Sequence, residues 1–375
     1  MIMQAKIQTL TPLWTGGSDG DMDRIHETGI TGSLRWWYEA IVRGLGGKAC
    51  DPSKHGCNFN MEHYRRSSEV DERFRLLRAG LCDACQIFGA TGWRRRFHID
   101  VAEDRTEPIY PPESRTLNVR PPDRNRGWYL PPGRMGEFVL DIRGDKETMS
   151  RIAALLIFLE EWGRIGAKPQ LGYGAFRIIN REEIRALAAN HQWKPFSAEP
   201  ADHDCLNPDL RNFGFLKYCF QPERSNWWTW VAGIERIATK VQPFVISHRT
   251  APVSPALKNE LRYHHIWQGD REDEKRMFGT LQGRAWDEVH NKPRAVRIRS
   301  KVALSWAYKN DREWSVRGWA WLQSPKNAAD VWNLLQDRNA WQKAISARGS
   351  IWADPAGEWR ERRPEGVADF LGRIK

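Results

Sequence analysis

Wound as a helix, the stretch Thr148 to Gly163 (TMSRIAALLIFLEEWG) is apolar on most of its circumference, so it must lie inside the protein. The rest of the chain has to supply layers that cover it. Its uninterrupted apolar run, Ile152 to Leu159, has eight residues, whereas crossing a bilayer takes about 20. Met1 to Leu10 holds no apolar segment of signal-peptide length. The expectation is therefore a cytoplasmic, layered protein with no membrane contact. Its 375 residues allow two or three domains.

The flanking segments give the layers. MQAKIQTLTPLW alternates and reads as a first strand, followed by a Gly/Asp loop, GGSDGDMD. From Ser33, SLRWWYEAIVRGLGG places Leu34, Trp37, Tyr38, Ile41 and Leu45 on one stripe of a helix, with Arg35, Glu39 and Arg43 on another. GWRRRFHIDVAED reads as a basic strand, EFVLDIRG as another, and AFRII as the strand after the buried helix. Strand, helix, strand, strand, helix, strand is the ferredoxin-like βαββαβ order of RNA-recognition folds.

Polar residues and prolines around 191–209 mark a boundary, giving domains at 1–192 and 205–375. Phe88-Gly89 feeding a basic strand is echoed by Phe278-Gly279 and the later RAVRIR, which carries Arg297 and Arg299. The expected fold class is α+β, with two ferredoxin-like domains in tandem carrying insertions. One insertion is a Pro/Arg arm at 108–136, with three Pro-Pro pairs ten residues apart, which excludes a helix or a central strand. It reads as an extended basic arm or long hairpin tip, or as a solvated loop that its prolines merely stiffen.

Four of six cysteines, Cys50, Cys57, Cys82 and Cys85, fall within 36 residues. Cys82-Asp-Ala-Cys85 is a metal knuckle, and the looser Cys50/Cys57 pair leaves the fourth ligand open between Cys50 and His55. The alternatives are a structural zinc and a set of free buried thiols.

An excess of 58 Lys+Arg over 47 Asp+Glu, a formal +11, favours a polyanionic partner. Twenty tryptophans supply either core or base-stacking platforms. If residues 94–98 are a strand, Arg94, Arg96 and His98 share one face and form a phosphate rail; the competing role for the triplet Arg94 to Arg96 is a charged strand edge. Leu171-Gly172-Tyr173-Gly174 is either a backbone phosphate cradle or a tight turn. Asp19, Asp21 and Asp23 begin like a calcium loop, but Arg24 and Ile30 occupy its turn-glycine and terminal-glutamate positions. There is no Walker loop, HExxH, GxSxG or dinucleotide fingerprint, so no nucleotide cofactor is expected.

TPLWTGG, TGSLRWWYEAIVRGLGG, CDACQIFGATGWRRRFHI and QLGYGAFRI, taken in order, resemble the RAMP superfamily of CRISPR effector subunits. Within it they resemble the first-numbered subunits of the Cmr, or type III-B, complex. The resemblance implies a non-catalytic subunit that holds guide (crRNA) and target single-stranded RNA near the 3′ region of the guide, beside other Cmr subunits in antiviral defence. It places the family's helix-start signature on Thr31 to Trp37, its glycine-rich loop on Gly172 to Gly174, and zinc ligands on Cys82 and Cys85, with Cys57 and either Cys50 or His55. The expected RNA-contacting set is Arg35, Trp36, Arg43, Trp93, Arg94, Arg96, His98, Gly172, Tyr173, Gly174, Arg297 and Arg299, with Trp36 or Trp93 as the stacking residue. A rival from the same superfamily is a ribonuclease using an Asp in the loop between first strand and first helix, with Asp23 as its candidate.

Overall fold

A computed structural model describes residues 1–17, 22–52, 54–110, 117–122, 125–196, 207–264, 271–287, 292–322, 325–355 and 363–374. Asp19, Asp21, Cys205, the Pro111-Pro112 pair, Arg115 and Arg124 lie outside them.

The fold is mixed α+β with antiparallel sheets. In the first half, β1 (Ile2–Thr9), α1 (Glu27–Gly44), β2 (Phe97–Pro108), β5 (Arg134–Gly144), α5 (Lys146–Glu161) and β6 (Phe176–Ile178) follow in that order. Their strands form one sheet ordered β2-β5-β1-β6, with every neighbouring pair antiparallel. The short helices α2 (Met61–Arg66), α3 (Glu72–Arg78) and α4 (Asp83–Phe88) fill the insertion between α1 and β2. Between β2 and β5 the Pro/Arg arm folds as a hairpin of β3 (Leu117–Val119) and β4 (Trp128–Leu130). Helix α6 (Arg181–Ala188) follows β6.

The second half runs β7 (Phe213–Phe220), α7 (Ala238–His248), β8 (Thr250–Ala251), α8 (Ser254–Asn259), α9 (Arg271–Phe278), and a separate hairpin of β9 (Thr280–Asp287) and β10 (Lys292–Ile298). Then come β11 (Val302–Leu304), β12 (Ala307–Asn310), β13 (Glu313–Trp321), α10 (Pro325–Gln336), α11 (Arg338–Ile345), β14 (Gly349–Pro355) and α12 (Pro364–Arg373). The second sheet is ordered β14-β7-β13-β12-β8, with β11 also on β13.

The buried helix expected from residues 148–163 is α5, and two sheets enclose it. Trp37 of α1 packs on Phe158 of α5 at 5.5 Å and on Phe213, Phe215 and Trp319 of the second sheet at 5.5–6.2 Å. Met3, Ile7, Phe138, Leu140 and Ile142 of the first sheet close the same core from the other side. On β7, Phe213 and Phe215 face this core while Leu216, Tyr218 and Phe220 face a second one, built with α7, α8, α10 and α11. That is why FGFLKYCF is buried almost throughout and not alternately. Layers therefore stack as sheet, helices, sheet, helices.

Three sequence expectations are corrected. Helix α1 begins at Glu27, so Thr31 to Ser33 lie inside it. Strand β2 begins at Phe97, so Arg94, Arg95 and Arg96 precede it and do not share a strand face. The apolar spacing of NAADVWNLLQDRNAWQKAI reads as one late helix, but the segment is two, because Asp337 turns its carboxylate onto the Asn339 amide and caps a new start.

Candidate metal centre and nucleic-acid surface

Helix α4 starts at Cys82, whose thiol accepts the Cys85 amide, so the CxxC knuckle wraps a helix N-terminus. Isolated bridges from Asp51 to His55 and from Asn58 to Thr91 fold the insertion so that Cys50 and Cys57 reach the same point, and the four sulfur atoms all lie within 4.8 Å of one another. Tetrahedral thiolate coordination at about 2.3 Å places sulfurs about 3.8 Å apart, so the donor set fits such an ion; Cys50 and Cys85 are 3.5 Å apart. His55 is exposed and outside the cluster. The fourth sulfur is therefore that of Cys50. Backbone amides of Cys50 and Cys82 point at the sulfurs of Cys82 and Cys57 at 3.3 Å, which favours thiolates. Hydrogen bonds from the other three thiols hold Cys50 below the ordinary thiol range, and the same shared bonds push Cys57, Cys82 and Cys85 above it.

The polar stripe of α1 serves this centre. Arg35 reaches Cys85 Sγ at 3.1 Å and Cys50 Sγ at 3.8 Å, while its Nε donates to Glu39 at 2.7 Å and its Nη1 to the Gly89 carbonyl at 3.2 Å. Arg43 donates to the carbonyls of Ala49, Cys50 and Pro208. Both were expected on phosphate; both guanidinium groups are instead spent inside the protein, because their neighbours at i,i+4 and the returning loop occupy their donors. Asp83 completes the frame, accepting from the Lys48 amide at 2.7 Å and pairing with Arg73 at 2.5 Å.

The other expected RNA residues divide. Arg94 is exposed and has no ion pair with any described residue. Arg96 is half-buried, 5.9 Å over the Trp93 ring. His98 is exposed on the outer sheet face, 2.9 Å from Asp100. Arg143 stands opposite His98, and Asp141 opposite Asp100, so this face carries both signs and forms no cationic rail. Arg299 is exposed after β10, on whose backbone Arg297 lies.

The tryptophans are mostly core. Trp36 lies edge-on to Trp37 at 4.8 Å and meets Phe213 and Trp319 within 6 Å, between α1 and the second sheet. Trp93 meets Phe59 at 4.9 Å with the rings tilted and donates to the Gln86 carbonyl, holding the insertion closed. Both rings are half-buried, each with one side taken up by these contacts.

The glycine-rich loop is a seam. Gly172 and Gly174 have φ of 95° and 85°, but their amides donate to the Pro169 and Pro12 carbonyls at 3.0 and 2.8 Å. Tyr173 is fully buried and donates to Pro131 at 2.6 Å. Trp306 Nε1 donates to Leu171, and buried Arg164 donates to the carbonyls of Pro169, Ala303 and Arg317. Burial without a carboxylate partner pulls the Arg164 pKa down to about 9.

Sequence reasoning missed His26. Its Nε2 lies 2.6 Å from Asp23 Oδ1, a hydrogen bond that lowers the Asp23 pKa, and Arg134 donates to the Asp23 carbonyl at 3.0 Å. The signal was available: a histidine three residues past Asp23, ahead of the helix.

The family model of the RAMP superfamily matches residues 6–177. The match runs from β1 through most of β6, just under half of the chain. Among solved structures, the chain is similar to apo Cmr1 from Pyrococcus furiosus, at 12% identity and a TM-score of 0.38, covering 86% of this chain and 88% of that one. It is also similar to a chain of the type III-B Cmr-beta structure bound to cognate target RNA and AMPPnP in the presence of ssDNA, at 12% identity and a TM-score of 0.40, covering 89% and 98%. None of the curated proteins matches it.

Proposed function

We propose that the chain is a non-catalytic, RNA-binding subunit of a type III-B (Cmr) CRISPR ribonucleoprotein, acting in the cytoplasm beside other Cmr subunits and holding guide-paired or single-stranded RNA near the guide's 3′ region. The observation that carries this is the RAMP match laid over the β2-β5-β1-β6 sheet. Two tandem ferredoxin-like domains, 1–192 and 205–375, belong to the same proposal. Its support is a shared order: β7, β12, β13 and β14 lie in the second sheet as β1, β2, β5 and β6 lie in the first. Helices also end at Phe88-Gly89 and at Phe278-Gly279, and both glycines have positive φ. The ion proposed at Cys50, Cys57, Cys82 and Cys85 is a structural zinc, since four cysteines fill every position of a tetrahedron and leave none for a reacting water.

The test is filter binding of single-stranded RNA against salt. Arg94→Ala, which removes an exposed guanidinium that has no ion pair among the described residues, should weaken binding uniformly across sequences and reduce the log–log salt slope by about 0.7. A chain with no saturable binding is a protein-only adaptor, and the proposal fails.

A second reading rests on the Asp23–His26 pair, a carboxylate and an imidazole 2.6 Å apart at the end of the β1–α1 loop. Such a pair suits proton transfer in RNA cleavage. Under the non-catalytic reading, Asp23→Ala leaves guide-paired RNA intact and bound as before. Metal-dependent cutting by the native chain that disappears in Asp23→Ala, with binding retained, would make the subunit a ribonuclease.

A further inference from the structure

Among the described residues, the exposed members of the Phe, Tyr and Trp set are Tyr129, at 62%, and Trp230, at 61%. Both belong to segments that the proposed RNA contacts leave unused, and those segments meet. The Pro/Arg arm lays Leu117, Val119 and Leu130 into the core of the second half, where Trp227, Trp228, Val231 and Ile234 also lie. At Gly233 the contact is backbone on backbone: φ is +87°, and a Cβ there would stand 2.8 Å from both Arg120 C and Pro121 N. The described part of the arm, the β3–β4 hairpin, is therefore seated and is not a loose solvated loop.

With the inner face of the hairpin buried, its outer face carries Tyr129 directly opposite Asn118, followed by exposed Arg120. Across the Gly233 junction, Arg224 lies over the Trp230 ring at 5.1 Å. Arg120, Arg126 and Arg224 have no ion pair with any described residue. Exposed rings beside unneutralised guanidinium groups match a polymer of π-faces and phosphates better than an apolar protein surface.

We propose that the outer face of the β3–β4 hairpin and the Trp227–Trp230 turn together form a stacking platform for single-stranded RNA, with Tyr129 and Trp230 under bases and Arg120, Arg126 and Arg224 toward phosphates. The platform rests on the RNA-binding reading above but is separate from Arg94.

The experiment uses the full chain and a fluorescein-labelled oligouridylate, read by anisotropy, with 4-thiouridine crosslinking to locate contacts. Trp230→Ala weakens binding about tenfold with the salt slope unchanged, Trp230→Phe restores much of it, and Arg224→Ala flattens the slope by about 0.7. Crosslinks fall on Tyr129 or Trp230. Wild-type affinity in Trp230→Ala, with Arg94→Ala still weakened, overturns the platform and leaves the RNA reading standing. No saturable binding by the native chain overturns both. Crosslinks absent from these rings in a purified effector complex, with a protein subunit protecting them, would make the face a protein interface and also overturn the proposal.

Discussion

Cys82→Ser should release the metal and unfold the insertion from about residue 48 to residue 93 while leaving both sheets folded. The three helices of that insertion have six, seven and six residues, far below the about 12–15 at which an isolated helix becomes marginal in water. What holds them is a small set of contacts converging on the cysteines: Arg35 and Arg43 from α1, the Lys48–Asp83–Arg73 bridge, and Leu76, Leu81 and Ile87 packed into the first core. Structural zinc binding supplies about 10–16 kcal/mol in small zinc domains, so the zinc proposed at the four cysteines would supply most of the insertion's stability. Removing an outer partner typically costs about 10–100-fold in metal affinity, which is the range expected for Arg35→Gln. Loss of the Cys82 ligand should exceed it. Metal analysis and amide hydrogen exchange check this: stoichiometric zinc in the native chain, none in Cys82→Ser, and exchange rising across 48–93 but not in β1 or β5. Native protein without zinc, together with unchanged exchange in the variant, would mean four free thiols, one of which a serine replaces at little cost.

The same cluster shows what sequence spacing can and cannot settle. CxxC is legible because two residues between cysteines is set by the first turn of one helix. The choice between Cys50 and His55 was not, because it depends on how a loop returns to that helix from outside. Arg35, Glu39 and Arg43 were visible as one stripe of α1, yet the stripe could not announce its target, since a sulfur fifty residues away and a phosphate ask for the same guanidinium. Residues 94–98 failed for a different reason. Alternation becomes visible only at Phe97, where buried Phe97 and Ile99 flank exposed His98; three successive arginines carry no period, so they could not mark where the strand began. By contrast, α5 was read without its partners because an apolar circumference admits one environment. The expectation of a basic arm at 108–136 located a real element, and its seat on Gly233 depended on a turn more than a hundred residues later.

Gly172→Ala is expected to separate the two roles considered for the glycine-rich loop, by damaging stability and sparing RNA affinity per folded molecule. A left-handed residue with a Cβ costs about 1–2 kcal/mol, and this Cβ would stand 2.5 Å from Trp306 Cδ1 and 2.9 Å from Ser254 Cβ. Trp306 is fully buried and tied on both sides, its amide to the Gly172 carbonyl at 3.3 Å and its indole to Leu171. It cannot swing away without exposing Tyr173 and Phe244, whose rings it meets at 5.6 and 6.0 Å. Overpacking of this kind adds about 1–3 kcal/mol, for a total near 2–5 kcal/mol. The loss should fall on the contact between the first-half loop and β11–β12, because Lys258, reaching the Gln170 carbonyl, and Arg164, reaching Ala303, span the same seam. Thermal unfolding should show a lower midpoint, and RNA titrations corrected for the folded fraction should coincide with those of the native chain. A phosphate cradle predicts the reverse, an unchanged midpoint with weakened binding. That result would require the amides now donated to Pro169 and Pro12 to be released when RNA arrives.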